Sequence, residues 1–180
     1  MIIGKRIRLR GIERDDIARF VSWLNDPEVY THLTPREALS RPEEERWFEQ
    51  MLNLPSEEHP LVFEIDSPEG WTAIGDIALM KINWRDRSAE IGIFIGEKRF
   101  WNQGYGREAM QLVVKHGFAN LNLNRIFLRV DDNNARAIRS YERAGFVHEG
   151  RLRQARFKDN IYIDTILMSV LHSEWQVKMD

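Results

Sequence analysis

The sequence predicts a mixed α/β (α+β) fold: an antiparallel front half, a strand–helix–strand unit with one parallel strand pair, and a C-terminal hairpin, in one continuous sheet. Three observations carry that prediction. Between residues 61 and 96, strand-like runs are separated only by the turns Ser67-Pro68-Glu69-Gly70 and Arg85-Asp86-Arg87, as in an antiparallel meander. The alternating, Ile-rich run over 89–96 then passes through Gly104 and Gly106 into a segment where Ala109, Leu112, Val113, His116, Gly117 and Phe118 recur at helical spacing. Another strand follows over 125–130, and a connection of that length implies a right-handed crossover between parallel neighbours.

The elements follow in order. Residues 5–10 alternate charges with Ile7 and Leu9, which predicts a half-exposed first strand. Glu13-Arg14-Asp15-Asp16 opens a helix with acids in its first turn, and Ile17, Phe20, Val21 and Leu24 are its apolar stripe. Asn25-Asp26-Pro27 ends it, and a short helical turn and loop are expected over 26–41, where Pro27 and Pro35 fall. Pro42 with Glu43-Glu44-Glu45 starts the next helix. Its buried face is Trp47, Phe48, Met51 and Leu52, and its three glutamates read as solvated. Strands are expected over 61–65, 71–84 and 88–96, with Gly75 as a bulge candidate. After the crossover, residues 134–144 form a helix that stops at Gly145. Strands over 146–157 and 161–171 flank the hairpin turn Lys158-Asp159-Asn160. No repeat, low-complexity tract or linker interrupts the 180 residues, so 1–180 reads as a single domain.

Composition narrows the function classes. The 43% apolar share suits a globular core, and 26 basic against 28 acidic residues give no global pull toward nucleic acid. There are no cysteines, which excludes disulfides, Cys-ligated zinc and a Cys nucleophile and fits a cytoplasmic setting. The five histidines are scattered, with no pair at metal-ligand spacing, so no metal is expected. The start Met1-Ile2-Ile3-Gly4-Lys5-Arg6 is not followed by a signal peptide, and no apolar run is long enough to span a membrane.

The chemistry concentrates at Gln103-Gly104-Tyr105-Gly106-Arg107. Two glycines sit where a strand passes into a helix N-terminus, where free N–H groups and the helix dipole favour an anion. Gln103 and Arg107 add donors, so a phosphate or pyrophosphate fits; read alone, the Gly-x-Gly is equally a tight turn. It is neither the dinucleotide fingerprint nor a P-loop, because the third Gly and the Gly-Lys-Ser/Thr are missing.

Three motifs in fixed order give this site a context: Gln103-Gly104-Tyr105-Gly106-Arg107-Glu108-Ala109, then Asn134-Ala135-Arg136-Ala137-Ile138-Arg139-Ser140-Tyr141-Glu142-Arg143-Ala144-Gly145-Phe146, then a tail of His148-Glu149-Gly150-Arg151-Leu152-Arg153, Tyr162-Ile163-Asp164 and Glu174-Trp175. Together they resemble the GNAT superfamily of acyl-CoA-dependent N-acetyltransferases. The branch is that of the spermidine/spermine and ribosomal-protein N-terminal alanine acetyltransferases. The resemblance covers nearly the whole chain and is strongest from Ala89 onward. It implies a GNAT-like fold and direct transfer of acetyl from acetyl-CoA to a primary amine, on a protein N-terminus, a polyamine or another small amine. It further implies that Ile93, Phe94, Ile95, Gln103, Gly104, Tyr105, Gly106, Arg107 and Asn134 hold the cosubstrate, that Tyr141 is the general acid, and that Glu90 is the general base. Trp101 departs from the family pattern, standing where Gln or Arg is usual.

Each assignment has a structural alternative. Tyr141 also reads as a core tyrosine on a helix face, Asn134 as a helix N-cap, and Glu90 as a solvated residue on the open sheet face. If Glu90 is buried in its apolar strand, burial raises its pKa. Asp164 braces the C-terminal hairpin or orients the amine. Tyr30, Trp47, Trp71 and Trp84 line an acceptor pocket or belong to the core. Arg151, Arg153, Arg156 and Lys158 form an exposed strand face or attract an anion. A non-catalytic CoA-binding regulatory or sensor module of the same fold is the alternative function. No nucleic-acid or membrane partner is expected, and a homodimer is an analogy from related proteins only.

Overall fold

The structure, a computed structural model, describes residues 1–33 and 38–177. Its eight strands are β1 (Ile2–Ile3), β2 (Ile7–Gly11), β3 (Leu61–Ser67), β4 (Gly70–Asn83), β5 (Ser88–Ile95), β6 (Arg125–Asp131), β7 (Val147–Lys158) and β8 (Ile161–Leu171). They form one sheet in the order β1-β2-β3-β4-β5-β6-β8-β7. Every neighbouring pair is antiparallel except β5 and β6, which are parallel as the crossover requires. The helices are α1 (Ile17–Leu24), α2 (Pro27–Tyr30), α3 (Arg41–Met51), α4 (Tyr105–Ala119), α5 (Ala135–Ala144) and α6 (His172–Val177). None among the described residues is long and apolar enough to cross a membrane.

Strand alternation sorts side chains onto two faces. On one, Ile7, Leu9, Phe63, Ile77, Leu79, Ile126, Leu128 and Met168 pack against Met110, Val113, Val114 and Phe118 of α4. On the other, Phe20, Trp23 and Leu24 of α1 and Val29 of α2 close over Val62 and Ala73. Fully burying side chains of this size contributes ~1.5–3 kcal/mol each. The main core is continuous across the crossover, so β5, β6 and α4 are rigidly placed.

The parallel pair is short. Ser88, Ala89 and Glu90 face Arg125, Ile126 and Phe127, and there pairing stops. Both strands run on: β5 stays paired with β4 as far as Ile95 opposite Gly75, and β6 stays paired with β8 as far as Asp131 opposite Thr165. The sheet therefore splits in its middle into a wedge with an unpaired backbone edge on each side. On the outer side of β5, a bulge leaves Ile74 unpaired between Phe63–Gly75 and Glu64–Ala73. The Ile74 carbonyl turns to accept from the N–H groups of Gly96 and Glu97, which leads the chain away from the wedge.

Several expectations change. The strand β1 and helix α6 carry no clear periodic signal and were not predicted. The acidic helix start is a single 3-10 turn, Arg14–Asp16, before α1, and Asp16 is buried because Arg10 grips it at 2.7 Å and 2.8 Å. In α3, Phe48 and Met51 are buried as expected, but Leu52 is 49% exposed and Glu44 only 3%. The helix ends one residue before Leu52, which leaves it off the packed face. Loop residues 34–37 of the expected 26–41 segment, with Pro35, lie outside the described residues. The expected C-terminal hairpin forms, with positive φ at Asp159 and Asn160, and its second strand pairs with β6.

Two predictions follow from the packing. A Cβ at position 75 would sit 2.1 Å from the Phe94 carbonyl oxygen, a backbone atom that cannot swing aside. Gly75→Ala is expected to cost ~3 kcal/mol, the upper end for overpacking, read as a lowered urea midpoint. Glu149 of β7 holds Arg125 of β6 by two bonds of 2.5 Å and accepts from Ser169 Oγ at 2.7 Å, spanning three strands. Arg125 above all lowers the Glu149 pKa from 4.5 to about 2. A group depressed on folding stabilises the fold above its unfolded pKa and loses that contribution as pH falls toward the folded value. The wild-type urea midpoint should therefore drop between pH 5 and 3 by more than that of Glu149→Gln.

Candidate active site

The wedge opens into a cleft of about 1130 Å³ bounded by β5, β6, the N-terminus of α4, α5 and residues 29–33. At one end Gly104 caps α4 with φ 83°, a left-handed conformation that favours glycine. Glu108 is the first helical residue whose N–H finds a carbonyl, that of Gly104. The N–H groups of Tyr105, Gly106 and Arg107 are thus the orphan donors of the first turn. Gly106 leaves room on the wedge side, where an added Cβ would stand 3.4 Å from Ile95 Cδ1. Glu108 fixes this corner by accepting from the N–H groups of Lys5 and Arg6 at 2.8 and 2.9 Å and from Arg6 Nε at 3.0 Å. The Arg107 side chain lines the cleft with no ion-pair partner among the described residues. These donors and that cation fit the pyrophosphate of CoA.

The side chains of Gln103 and Trp101 are engaged within the protein. The Gln103 side-chain amide donates to the Arg99 carbonyl at 2.7 Å, which leaves its backbone to face the cleft. Trp101 Nε1 donates to the Ile95 carbonyl at 2.9 Å, and the Arg136 guanidinium lies 4.0 Å from its ring. The indole thus fills the end of the wedge and ties β5 to α5. Ile93, Phe94 and Ile95 lie beyond the last parallel pair and line the cleft with Ile91 and Gly92.

Tyr141, Asn134 and Glu90 all line the cleft. Tyr141 packs on Phe146 with ring centroids 6.3 Å apart, and its hydroxyl makes no hydrogen bond among the described residues. Burial pushes its pKa up to about 12. Asn134 is the N-cap of α5, its Oδ1 accepting from the Ala137 N–H at 3.1 Å, and its backbone N–H donates to the Asp131 carbonyl. Glu90 is 8% exposed, not solvated. The Arg129 fork meets both its oxygens at 2.9 and 2.8 Å, and Lys81 Nζ adds a third bond at 2.9 Å. The expected rise in its pKa is overturned, because Arg129 first, and Lys81 after it, outweigh burial and lower it.

The cleft is also lined by residues that sequence reasoning did not assign to the site: Val29, His32, Leu33, Asp131 and Thr165. Asp131 and Arg156 are paired at 2.6 Å. Only the ring of residues brought together by β6, β8 and the 29–33 segment reveals them, since the spacing of His32 from Asp131 carries no local signal. Tyr30, Trp47, Trp71 and Trp84 do not line the cleft. Asp164 is a brace: it accepts from the Gln154 N–H at 2.7 Å and from Arg151 at 2.9 Å.

The comparisons agree with this geometry. A family model described as an acetyltransferase (GNAT) domain matches residues 6–147. An uncharacterized N-acetyltransferase, p20, of Bacillus licheniformis is 32% identical over 174 residues, 95% of this chain and 96% of that one. A spermidine N(1)-acetyltransferase of Vibrio cholerae is 30% identical over 176 residues, 96% of this chain and 97% of that one. The solved spermidine N-acetyltransferase from Vibrio cholerae, in complex with CoA and spermine, superposes with a TM-score of 0.86 at 28% identity, covering 95% of this chain and 98% of that one. The motifs and the split sheet thus meet in one conclusion: the chain belongs to the GNAT acetyltransferase family, and its reaction is the acetyl-CoA-dependent acetylation of an amine.

Proposed function

We propose that the wedge is the site of direct acetyl transfer, that Tyr141 is its general acid, and that a polyamine of the spermidine class is the first acceptor to test. The observation that carries the reading is the Tyr141 hydroxyl, on a half-buried side chain that lines the cleft, without a hydrogen-bond partner among the described residues. The polyamine comes from the named substrate of relatives at 30% identity over 96% of this chain.

In this reading the N–H groups of Tyr105, Gly106 and Arg107 hold the pyrophosphate, with the Arg107 guanidinium beside it. Asn134 stands where a pantetheine arm would pass, and its cap on α5 fixes the turn that carries it. Acetyl-CoA supplies the acetyl thioester. Unpaired N–H groups along 91–95 face the thioester oxygen and stabilise negative charge as it forms there. Tyr141 stays protonated at pH 7 and delivers its proton to the departing sulfur. Against a free thiol of pKa ~8.5 that transfer runs uphill. In a dry cleft an unsolvated thiolate is a stronger base, so the proton moves as the C–S bond breaks. Glu90, held ionised by Arg129 and Lys81, is a weaker proton acceptor than its strand position suggests, and it serves best as the charge that locks Arg129 to β5.

One observation favours a second acceptor class. The acceptor side carries the cations Lys81, Arg129 and Arg156 against the anions Glu90 and Asp131. That balance opposes a polycation and suits a singly charged amine such as a peptide N-terminus.

Tyr141→Phe is expected to lower kcat by ~10²–10⁴-fold while the dissociation constant for CoA is unchanged; equal loss of CoA binding would make Tyr141 a packing residue. A screen of thiol release with spermidine, spermine and short peptides should separate the acceptors. Lower KM for spermidine than for any peptide selects the polyamine, and the reverse selects the N-terminal amine.

A further inference from the structure

The acceptor wall holds a pair that no motif connects. His32 follows α2, Asp131 ends β6, and His32 Nδ1 lies 3.8 Å from Asp131 Oδ2. That oxygen is buried and, among the described residues, has no hydrogen-bond partner. The other oxygen, Oδ1, accepts from Arg156 Nη1 at 2.6 Å. Arg156 also donates through Nη2 to the Leu33 carbonyl at 2.6 Å, and Lys158 Nζ donates to the Thr31 carbonyl. The carbonyls on either side of His32 are thus tied to β7, and its ring is held facing a carboxylate. A buried acceptor without a donor bears its whole desolvation cost. The Nδ1–H of His32, at 3.8 Å, is a group able to relieve it, and catalytic hydrogen bonds are often long before substrate binds.

We propose that His32 is the general base of acetyl transfer and that Asp131 is a positioning residue, drawing Nδ1–H toward itself so that Nε2 faces the acceptor amine. The inference rests on the reading of the cleft as the site of amine acetylation. Glu90 is the rival base, but three of its roughly four lone-pair positions are taken by Arg129 and Lys81. His32 has the opposite standing: 31% of its side chain is exposed, and it lines the cleft.

The charged groups facing His32 come from three elements: Asp131 from β6, Lys158 from β7 and Arg136 from α5, with Arg156 of β7 behind Asp131. Burial first, and then Lys158 and Arg136, hold the imidazole below its ordinary 6.5, while Asp131 opposes them. It is therefore neutral at pH 7, as a base requires. The acceptor ammonium gives one proton to His32 Nε2, which passes it to solvent. The freed nitrogen lone pair forms the C–N bond and the C–S bond breaks. Sulfur takes the Tyr141 proton, and the remaining surplus proton on nitrogen returns to the Tyr141 oxygen.

The test uses the full chain, acetyl-CoA, and spermidine or an alanine-starting peptide as acceptor. His32→Gln should lower kcat/KM for the amine by ~100-fold or more, leave CoA affinity unchanged, and remove the acid limb of the pH–rate profile. Added imidazole should restore part of the activity of His32→Ala. Asp131→Asn should lower kcat more than it raises KM. It should also move the NMR titration of the His32 ring in the ligand-free protein to lower pH, because an opposing anion is gone. Wild-type kcat with an intact acid limb in His32→Gln would overturn the inference, as would loss of that limb in Glu90→Gln instead. If the wild type released no thiol with any amine, the acetylation reading would fall. The ring titration would still judge the pair, and an identical His32 titration in wild type and Asp131→Asn would refute it.

Discussion

The parting of β5 from β6 after three residue pairs is the constraint on which the rest of the molecule depends. A sheet split in its middle leaves peptide groups without ladder partners, and each one buried unpaired costs ~1–3 kcal/mol. The opening survives because each strand is fully paired on its outer side, β5 with β4 to Ile95 and β6 with β8 to Asp131. Gly75 lets β5 and β4 approach so closely that no Cβ fits, and the bulge beside it diverts the chain after Ile95. Trp101 then closes the far end with one indole hydrogen bond to Ile95 and a guanidinium on its face. In the proposed reaction, the same unpaired groups that burden the fold are the donors.

Electrostatics inside the cleft differ from those of the chain. A formal charge of -2 overall conceals a cleft lined by Lys81, Arg107, Arg129, Arg136, Arg139, Arg143 and Arg156 against Glu90 and Asp131. That surplus suits a polyanionic cosubstrate. It also decides what each carboxylate can do. Glu90 lies where one arginine reaches both its oxygens, so it is fixed as an anion. Asp131 lies where an arginine reaches only one, so its second oxygen is left to act on a neighbour.

What was legible in the sequence was what local periodicity and spacing encode. The meander, the crossover helix, the glycines at the start of α4 and the Asn134 cap all depend on residues within a few positions of one another. What was not legible depends on residues far apart in the chain. Glu90 and Arg129 are 39 positions apart, so the pairing that reverses the effect of burial on Glu90 leaves no mark in its own strand. His32 and Asp131 meet where Arg156 holds the Leu33 carbonyl across 123 positions. Glu44 looked solvated because three acids stand in a row, yet the helix turns it inward. Gln103 looked like a ligand because of the glycine beside it, yet a carbonyl four residues back claims its amide.

The two ends of the cleft are built by different kinds of structure. In the proposed reading, cosubstrate binding rests on β5, the first turn of α4 and α5, elements packed into the main core and unable to shift without disturbing it. The acceptor wall rests on the short α2, the segment after it, and the β7–β8 hairpin, held mainly by arginine and lysine bonds to carbonyls. Such bonds can be rearranged by one substitution without reopening the core. In the proposed reading acetyl transfer is fixed by the sheet, whereas the choice of amine is set by a few polar contacts beside it. On that reading Asp131 at the end of β6 and Arg156 of β7 hold the segment that carries His32, so a change within that segment alters the choice of amine without altering the pairing of the sheet.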